Sequence, residues 1–205
     1  MAEKPTIAIV EDDEAVLDSL RSLLTRRGYR AVPIQSPVAL LASIDAGEVF
    51  DCVVSDVRMP VMSGTTLYLE LRKRGVQIPF ILITGHGDVD MAVTAMKAGA
   101  DDFIEKPIDS ARITASIKEA LRRSQAVKEA QTTQASIRAR FDALSERQRE
   151  VMLLAARGHS NKEMAHLLKL SSRTVEHYRE WVMEKMQAKT FAELVQMAMH
   201  LGLLK

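Results

Sequence analysis

The sequence predicts an α/β protein, with a doubly wound parallel sheet of five βα units followed by a small all-α domain of four helices. Three observations carry this. Residues 1–123 alternate short apolar runs with helical periodicity, the pattern of a parallel sheet covered on both faces. Residues 142–205 hold helix start signals and almost no strand pattern. Charge divides the chain in the same way: residues 1–123 carry 15 basic and 18 acidic side chains, and residues 124–205 carry 13 and 9. An acidic front and a basic back suggest different partners, nucleic acid being a candidate for the second. A difference of this size also arises from ordinary solvated surfaces.

The strands and helices of the first domain follow in order. Thr6–Val10 is a buried strand, and Val16, Leu17, Leu20, Leu23 and Leu24 then fall on one helix face that stops at Gly28. Further strands are expected at Arg30–Ile34, Asp51–Ser55, Pro79–Ile83 and Asp102–Glu105. Helical patterns occupy 37–46, 64–74 and 88–98, and a last one runs over 109–123.

In such sheets ligands bind beyond the carboxyl ends of the strands, and the chemistry of this chain is gathered there. Strand 1 runs into Glu11, Asp12 and Asp13, and strand 3 into Asp56. Strand 4 ends in Thr84 and strand 5 in Lys106-Pro107. Clustered carboxylates repel one another and call for a hard divalent cation, and oxygen donors of this kind suit Mg²⁺. With Thr84 and Lys106, that charge can neutralise a transferring phosphoryl group. Asp56 is the candidate nucleophile, forming an acyl phosphate. Taken singly, each piece has a plainer reading: acidic residues at strand ends are often helix N-caps, and Lys106-Pro107 is compatible with an ordinary loop.

Ile9-Val10-Glu11-Asp12-Asp13, Ser55-Asp56-Val57-Arg58-Met59-Pro60, Ile83-Thr84-Gly85 and Glu105-Lys106-Pro107 resemble the receiver domain of bacterial response regulators. The resemblance covers the whole first domain. It implies a CheY-like fold of strand order 2-1-3-4-5, phosphorylated by a sensor histidine kinase. Asp56 is then the phosphoacceptor. Asp12, Asp56 and the backbone carbonyl of Arg58 bind Mg²⁺, with Glu11 acting through water, and Thr84 and Lys106 contact the phosphoryl oxygens. Phe103 either matches the aromatic that reorients with Thr84, shifting the helix 4–strand 5–helix 5 surface toward dimerisation, or is an ordinary packed aromatic. Arg58 and His86 stand where related receivers vary and tune phosphoryl lifetime. His86 between two glycines also invites a phosphate-loop reading, but no Walker or dinucleotide fingerprint accompanies it.

Residues 124–141 are polar, rich in Ala and Gln, and free of Pro and Gly. They read as a helical linker extending the last receiver helix, weakest at Thr132-Thr133 and without an apolar stripe of its own. Beyond it, Ser145 with Gln148, Ser160 with Glu163 and Thr190 with Glu193 have capping-box spacing, opening helices at 146–157, 161–169 and 191–201. Another, over 172–187, follows Ser171 as N-cap. Val151, Leu154, Met164, Leu167, Leu168, Val175, Val182 and Met186 supply the small core.

Two helices joined at Leu170-Ser171 make a helix-turn-helix candidate over 161–187. With Val175, Val182 and Met186 inward, Arg173, Thr174, Glu176, His177 and Glu180 fall on the outer face, where Glu can accept from cytosine and Arg donate to guanine. Lys162, Arg179 and Lys185 are candidate phosphate contacts; a solvated helix face is the alternative for each charge. Leu144–Val151, Gly158, Asn161–Ala165, Ser171, Thr174-Val175 and Lys185-Met186 look like the LuxR-type DNA-binding domain, over residues 142–205. Together the halves resemble the FixJ/NarL class of transcriptional regulators, and Ile83–Asp88 with Ala95–Gly99 lean toward the FixJ subgroup. Tyr178 departs from the His frequent in that family, and His177 and Trp181 are unusual neighbours. The resemblance implies a DNA-bound dimer contact on the last helix, with Leu194, Val195, Met197, Ala198 and Leu201 as candidates; their other reading is domain core.

The lone Cys52 cannot form an intrachain disulfide, the amino terminus has no apolar signal core, and no apolar run approaches 18 residues. Secretion and membrane insertion are disfavoured, and a cytoplasmic location is expected. His159 and His166 are too sparse, with no Cys nearby, for a zinc site. The reading is therefore a non-enzymatic, phosphorylation-controlled regulator: monomers pair when phosphorylated, bind double-stranded promoter DNA and work with RNA polymerase. The alternatives are a dimeric DNA-binding regulator independent of phosphorylation, and a phosphoester-hydrolysing enzyme using Asp56, which gives residues 142–205 no purpose.

Overall fold

The computed structural model describes residues 4–85 and 89–204, with residues 89–92 given by backbone alone. The chain divides into two compact units, Met1–Ala126 and Val127–Lys205. In the first, β1 (Thr6–Val10), α1 (Glu14–Arg26), β2 (Arg30–Ile34), α2 (Pro37–Asp45), β3 (Cys52–Asp56), α3 (Gly64–Lys73), β4 (Phe80–Thr84), α4 (Val89–Lys97) and β5 (Asp102–Glu105) alternate, and α5 (Ser110–Asp142) leads out of it. The sheet is parallel throughout, in the order β2-β1-β3-β4-β5.

Alternation along the strands builds two cores, because successive side chains point to opposite faces. Ile7, Ile9, Cys52, Val54, Ile81 and Ile83 pack with α1 and α5 through Leu17, Leu20, Leu24, Ile113 and Ile117. Ala8, Val10, Val53, Phe80 and Leu82 pack on the other face with Leu40, Leu67, Tyr68, Leu71 and Ala95 of α2, α3 and α4. Such doubly covered strands read as continuous apolar runs, and β4 is buried at all five positions. Side-chain caps start the helices: Asp13 accepts from the Ala15 and Val16 amides, Ser36 precedes Pro37 at the first turn, and Ser63 accepts from the Thr66 amide.

Two strands end one residue later than the sequence pattern indicates. Asp56 pairs with Ile83, and Thr84 with Glu105, so both candidate site residues stand on the last ladder position of a strand. Asp13 is the plain N-cap of α1. Cys52 is wholly buried, and burial pushes its thiol far above the ordinary range, which leaves it an inert core residue.

The β5–α5 junction carries a testable charge. The Asp102 carboxylate meets Arg112 Nη1 at 2.6 Å and accepts from Ser116 Oγ at 2.7 Å and the Phe103 amide at 2.9 Å. Burial works against its charge, but these partners outweigh it and hold the carboxyl below its ordinary value. A depressed carboxyl pKa contributes stability that is present above the unfolded value of about 3.9 and is lost as pH falls through the folded one. Asp102→Asn should therefore lower the urea midpoint at neutral pH and narrow its difference from the parent at about pH 3. An equal deficit at both pH values would show that the charge contributes nothing.

The second unit is helical. The end of α5 is followed by α6 (Glu146–Ala156), α7 (Asn161–Leu168), α8 (Ser172–Met186) and α9 (Phe191–His200). Here α5 departs from the picture of a polar tether. Thr132 does not interrupt it; its hydroxyl donates to the Lys128 carbonyl one turn back at 2.8 Å. Near its end, Ile137 and Phe141 are buried with Leu144, Met152, Val182, Met186 and Leu194. Residues 127–142 thus lie within the second compact unit, and their last turns supply part of its core.

Two of the three capping boxes close reciprocally, at Ser145/Gln148 and Ser160/Glu163. The third is half formed: Thr190 accepts from the Glu193 amide, but the Glu193 carboxylate accepts from Lys189 N at 2.8 Å. Leu167, expected in the core, is 54% exposed. Residues Lys169–Ser171 join α7 to α8, with Lys169 in the left-handed region at φ 55° closing the α7 terminus.

Candidate functional site

The carboxyl edge of the sheet brings β1, β3, β4 and β5 together because the order 2-1-3-4-5 sets β1 and β4 on either side of β3. Glu11 and Asp56 are nearly buried, Asp12 is exposed, and one oxygen from each lies within 4.8 Å of the others. It is the one such group among the described residues. Lys106 Nζ reaches over from the end of β5 to Asp56 Oδ1 at 2.7 Å and Glu11 Oε2 at 3.1 Å. Its backbone is held by a hydrogen bond from Lys106 N to the Thr84 carbonyl at 2.8 Å. The second Asp56 oxygen accepts from the Arg58 amide at 2.8 Å.

Electrostatics follow from this crowding. Burial, then repulsion from Asp56, raises the Glu11 carboxyl above its ordinary value, and Lys106 only partly offsets this. Burial opposes the Lys106 charge, yet the two carboxylates outweigh it and hold the ammonium above its ordinary value. The site therefore keeps a firm cation against crowded oxygen donors. Three carboxylates within reach of one point, one of them open to solvent, fit a hard cation that retains part of its water shell, as Mg²⁺ does.

Thr84 is fully buried, with its hydroxyl donating to the Gly85 carbonyl at 3.2 Å. Phe103 is half-buried and packs on the core beneath α2, α3 and α4. His86 and Gly87 lie outside the described residues. Two residues near the β3–α3 connection escaped the sequence reading. Gly64 opens α3 against the end of β3: a Cβ there would collide with the Asp56 carbonyl and stand 2.8 Å from Ser55 Oγ. Val61 is 96% exposed at φ 69°. The Ser-Gly pair at a helix start was the available signal for Gly64; nothing in the local pattern marks Val61.

In the second unit, Val175, Val182 and Met186 are buried, while Lys162, Arg173, Glu176, His177 and Glu180 are exposed and Thr174 is half-buried. The expected outer face of α8 is therefore largely free. Ser171 and Thr174 hydroxyls meet at 2.7 Å, and His177 Nδ1 stands 3.5 Å from Glu180 Oε2. Lys185 is exposed but donates to Gln148 Oε1 at 3.0 Å. Arg179 differs more. It is half-buried, donates to Asn161 Oδ1 at 2.6 Å and lies 5.5 Å from the Phe191 ring centre. It ties α7, α8 and α9 together. Arg179→Ala should cost about 2 kcal/mol of stability and leave the salt dependence of DNA binding unchanged; a phosphate contact would instead reduce the log–log salt slope by about 1. Urea unfolding and a salt titration read the two.

The dimer contact expected on α9 needs correction. Leu194, Ala198 and Leu201 are buried in the domain core, so their side chains cannot meet a partner. Val195 and Met197 are half-buried.

Residues 7–118 match the family described as response regulator receiver domain, and residues 142–198 match the luxR family of bacterial regulatory proteins. The chain belongs to the two-component response regulators that join a receiver to a LuxR-type DNA-binding domain, and it is a DNA-binding transcriptional regulator. It is 42% identical to the transcriptional regulatory protein FixJ of Bradyrhizobium diazoefficiens, covering 100% of this chain and 99% of that one. Identity to FixJ of Rhizobium meliloti is 46%, over 95% of both. The solved full-length FixJ from B. japonicum is similar over 100% of both chains at a TM-score of 0.64 and 41% identity. Such regulators are not an enzyme class and are served by a histidine kinase partner. Among the described residues, no helix is long and apolar enough to cross a membrane.

Proposed function

We propose that Asp56 is the phosphoacceptor and that its modification controls DNA binding by residues 142–205. The observation that carries this is the contact of a nearly buried Asp56 with Lys106 Nζ at 2.7 Å, beside two further carboxylates. An Asp56 oxygen attacks the phosphorus of the kinase phosphohistidine; the acyl phosphate O–P bond forms as the N–P bond breaks, and the imidazole leaves with the electron pair. Lys106 and the Thr84 hydroxyl then compensate phosphoryl charge, and Arg58 N steadies the second oxygen. Asp12, Asp56 and the Arg58 carbonyl, with Glu11 through water, would hold Mg²⁺. When bound, the ion supplies charge neutralisation for the incoming phosphoryl group. The chain is modified once per activation and turns over no substrate.

Phosphorylation favours a receiver conformation that pairs through the α4–β5–α5 surface, with Phe103 following Thr84; the phosphoryl group must bind that state better than the resting one. Pairing brings two DNA-binding domains to two half-sites of promoter DNA, raising affinity by effective concentration. There Arg173, Thr174, Glu176, His177 and Glu180 face base edges, Lys162 and Lys185 face phosphates, and Val195 and Met197 remain for a contact between DNA-bound domains. The protein acts in the cytoplasm, with RNA polymerase as its downstream partner. Light scattering in Mg²⁺, with and without beryllofluoride, tests the pairing step: the mass should double with the phosphoryl mimic. A mimic that binds while the mass stays that of a monomer refutes pairing.

A further inference from the structure

Trp181 is the chain's one tryptophan, and it stands 49% exposed on α8. An indole offers a broad apolar face and a single N–H donor, a pairing suited to a contact that is apolar on one side and polar on the other. It takes no part in the α8 core face of Val175, Val182 and Met186. At 100° per residue, the direction opposite that core face carries Arg173, His177, Glu180 and Glu184, and Trp181 projects about 60° to one side, the side of Thr174 and Lys185. Glu176 falls on the opposite flank. The two flanks therefore differ in charge: one holds a carboxylate, and the other a hydroxyl, an indole and an ammonium.

The geometry points to Trp181 as a positioning contact for DNA, its ring packed on deoxyribose and its indole N–H donating to a phosphate oxygen of one strand. This inference rests on α8 being the face that meets DNA. A phosphodiester strand avoids the glutamate flank and lies along Thr174, Trp181 and Lys185, where the indole is a pure donor and the ammonium a cation. The ring is also set before any partner arrives. Tyr178 meets it edge-on at 5.5 Å and 85°, and the His177 ring lies 6.4 Å away on the base-facing side. An aromatic braced in this way loses little freedom on binding. Because it touches backbone, its contribution adds to selected and unrelated duplexes alike and steadies the register in which the neighbouring side chains read bases.

The test uses the full-length protein with a duplex selected by it from a random-sequence pool and a scrambled duplex of equal length. With a single tryptophan, emission of the parent reports Trp181 directly. Saturating duplex should change its intensity and protect it from iodide. Trp181→Phe, which keeps an aromatic for Tyr178 but lacks the N–H, should weaken binding to both duplexes by about fivefold, and Trp181→Ala by about tenfold or more. The salt slope should stay that of the parent, since no charge is removed. Unchanged emission on a bound duplex, or a loss confined to the selected duplex, overturns the backbone contact. Arg173→Ala keeps the two levels distinct: parental binding in that variant removes α8 from the DNA face altogether.

Discussion

Asp56→Ala abolishes the increase in DNA affinity that a small-molecule phosphodonor produces in the parent, and leaves the fold intact. The first half follows from geometry. Asp56 is the carboxylate that closes β3, with one oxygen against Lys106 Nζ at 2.7 Å and the other on the Arg58 amide at 2.8 Å. Alanine removes the attacking oxygen, and Glu11 is no substitute because it stands on a different strand and itself binds Lys106 at 3.1 Å. The second half follows from electrostatics. Burial and then the Asp56 charge raise the Glu11 carboxyl, so deleting Asp56 removes a repulsion as well as an ion pair. Lys106 is left with one buried carboxylate in place of two. The net change in stability should be within about 1 kcal/mol, because the loss of attraction and of repulsion oppose each other. Gel-shift affinities with and without phosphodonor, beside urea midpoints, check both halves. Chelating Mg²⁺ in the parent should likewise abolish the phosphodonor enhancement while the fold stays intact. Persistent phosphodonor enhancement in Asp56→Ala would place the modification elsewhere.

The site was legible because topology does the assembling. Once five βα units are recognised, residues far apart in the chain, such as Glu11, Asp56, Thr84 and Lys106, must share one sheet edge. What remained hidden depends on packing that local pattern does not encode. The apolar residues of α9 recur at helical spacing, which serves a core or a partner equally well, and burial of Leu194, Ala198 and Leu201 decides for the core. Ile137 and Phe141 are two apolar residues in a polar helix, too few to announce a stripe, yet both are buried. Arg179 is charged, but at 100° per residue it stands only about 40° from the direction of the core face, and its guanidinium finds Asn161 and Phe191 there. Leu167 shows the converse, an apolar residue at core spacing left in solvent at the end of a helix too short to cover it.

Gly64→Ala should both destabilise the receiver and slow its phosphorylation. Gly64 is the first residue of α3, and its amide donates to the Val57 carbonyl at 3.0 Å, which draws the helix start against the end of β3. An added Cβ would run into the Asp56 carbonyl and lie 2.8 Å from Ser55 Oγ. Neither obstacle is a flexible chain end: the carbonyl belongs to Asp56, the proposed phosphoacceptor, and the Ser55 hydroxyl is buried and already donates to that same carbonyl at 3.0 Å. Backbone must move, at a cost of about 2–3 kcal/mol for such overpacking. The displacement falls on the residue that has to present its carboxylate to Lys106, so phosphoryl uptake should fall with stability. Gly47→Ala separates sterics from backbone preference. That glycine sits at φ 90° with nothing within 4 Å of an added Cβ, so its substitution carries only the left-handed penalty of about 1–2 kcal/mol and should leave the rate of phosphorylation unchanged. Equal rates in both variants would mean that α3 does not hold Asp56 in position, and that the close approach at Gly64 serves packing alone.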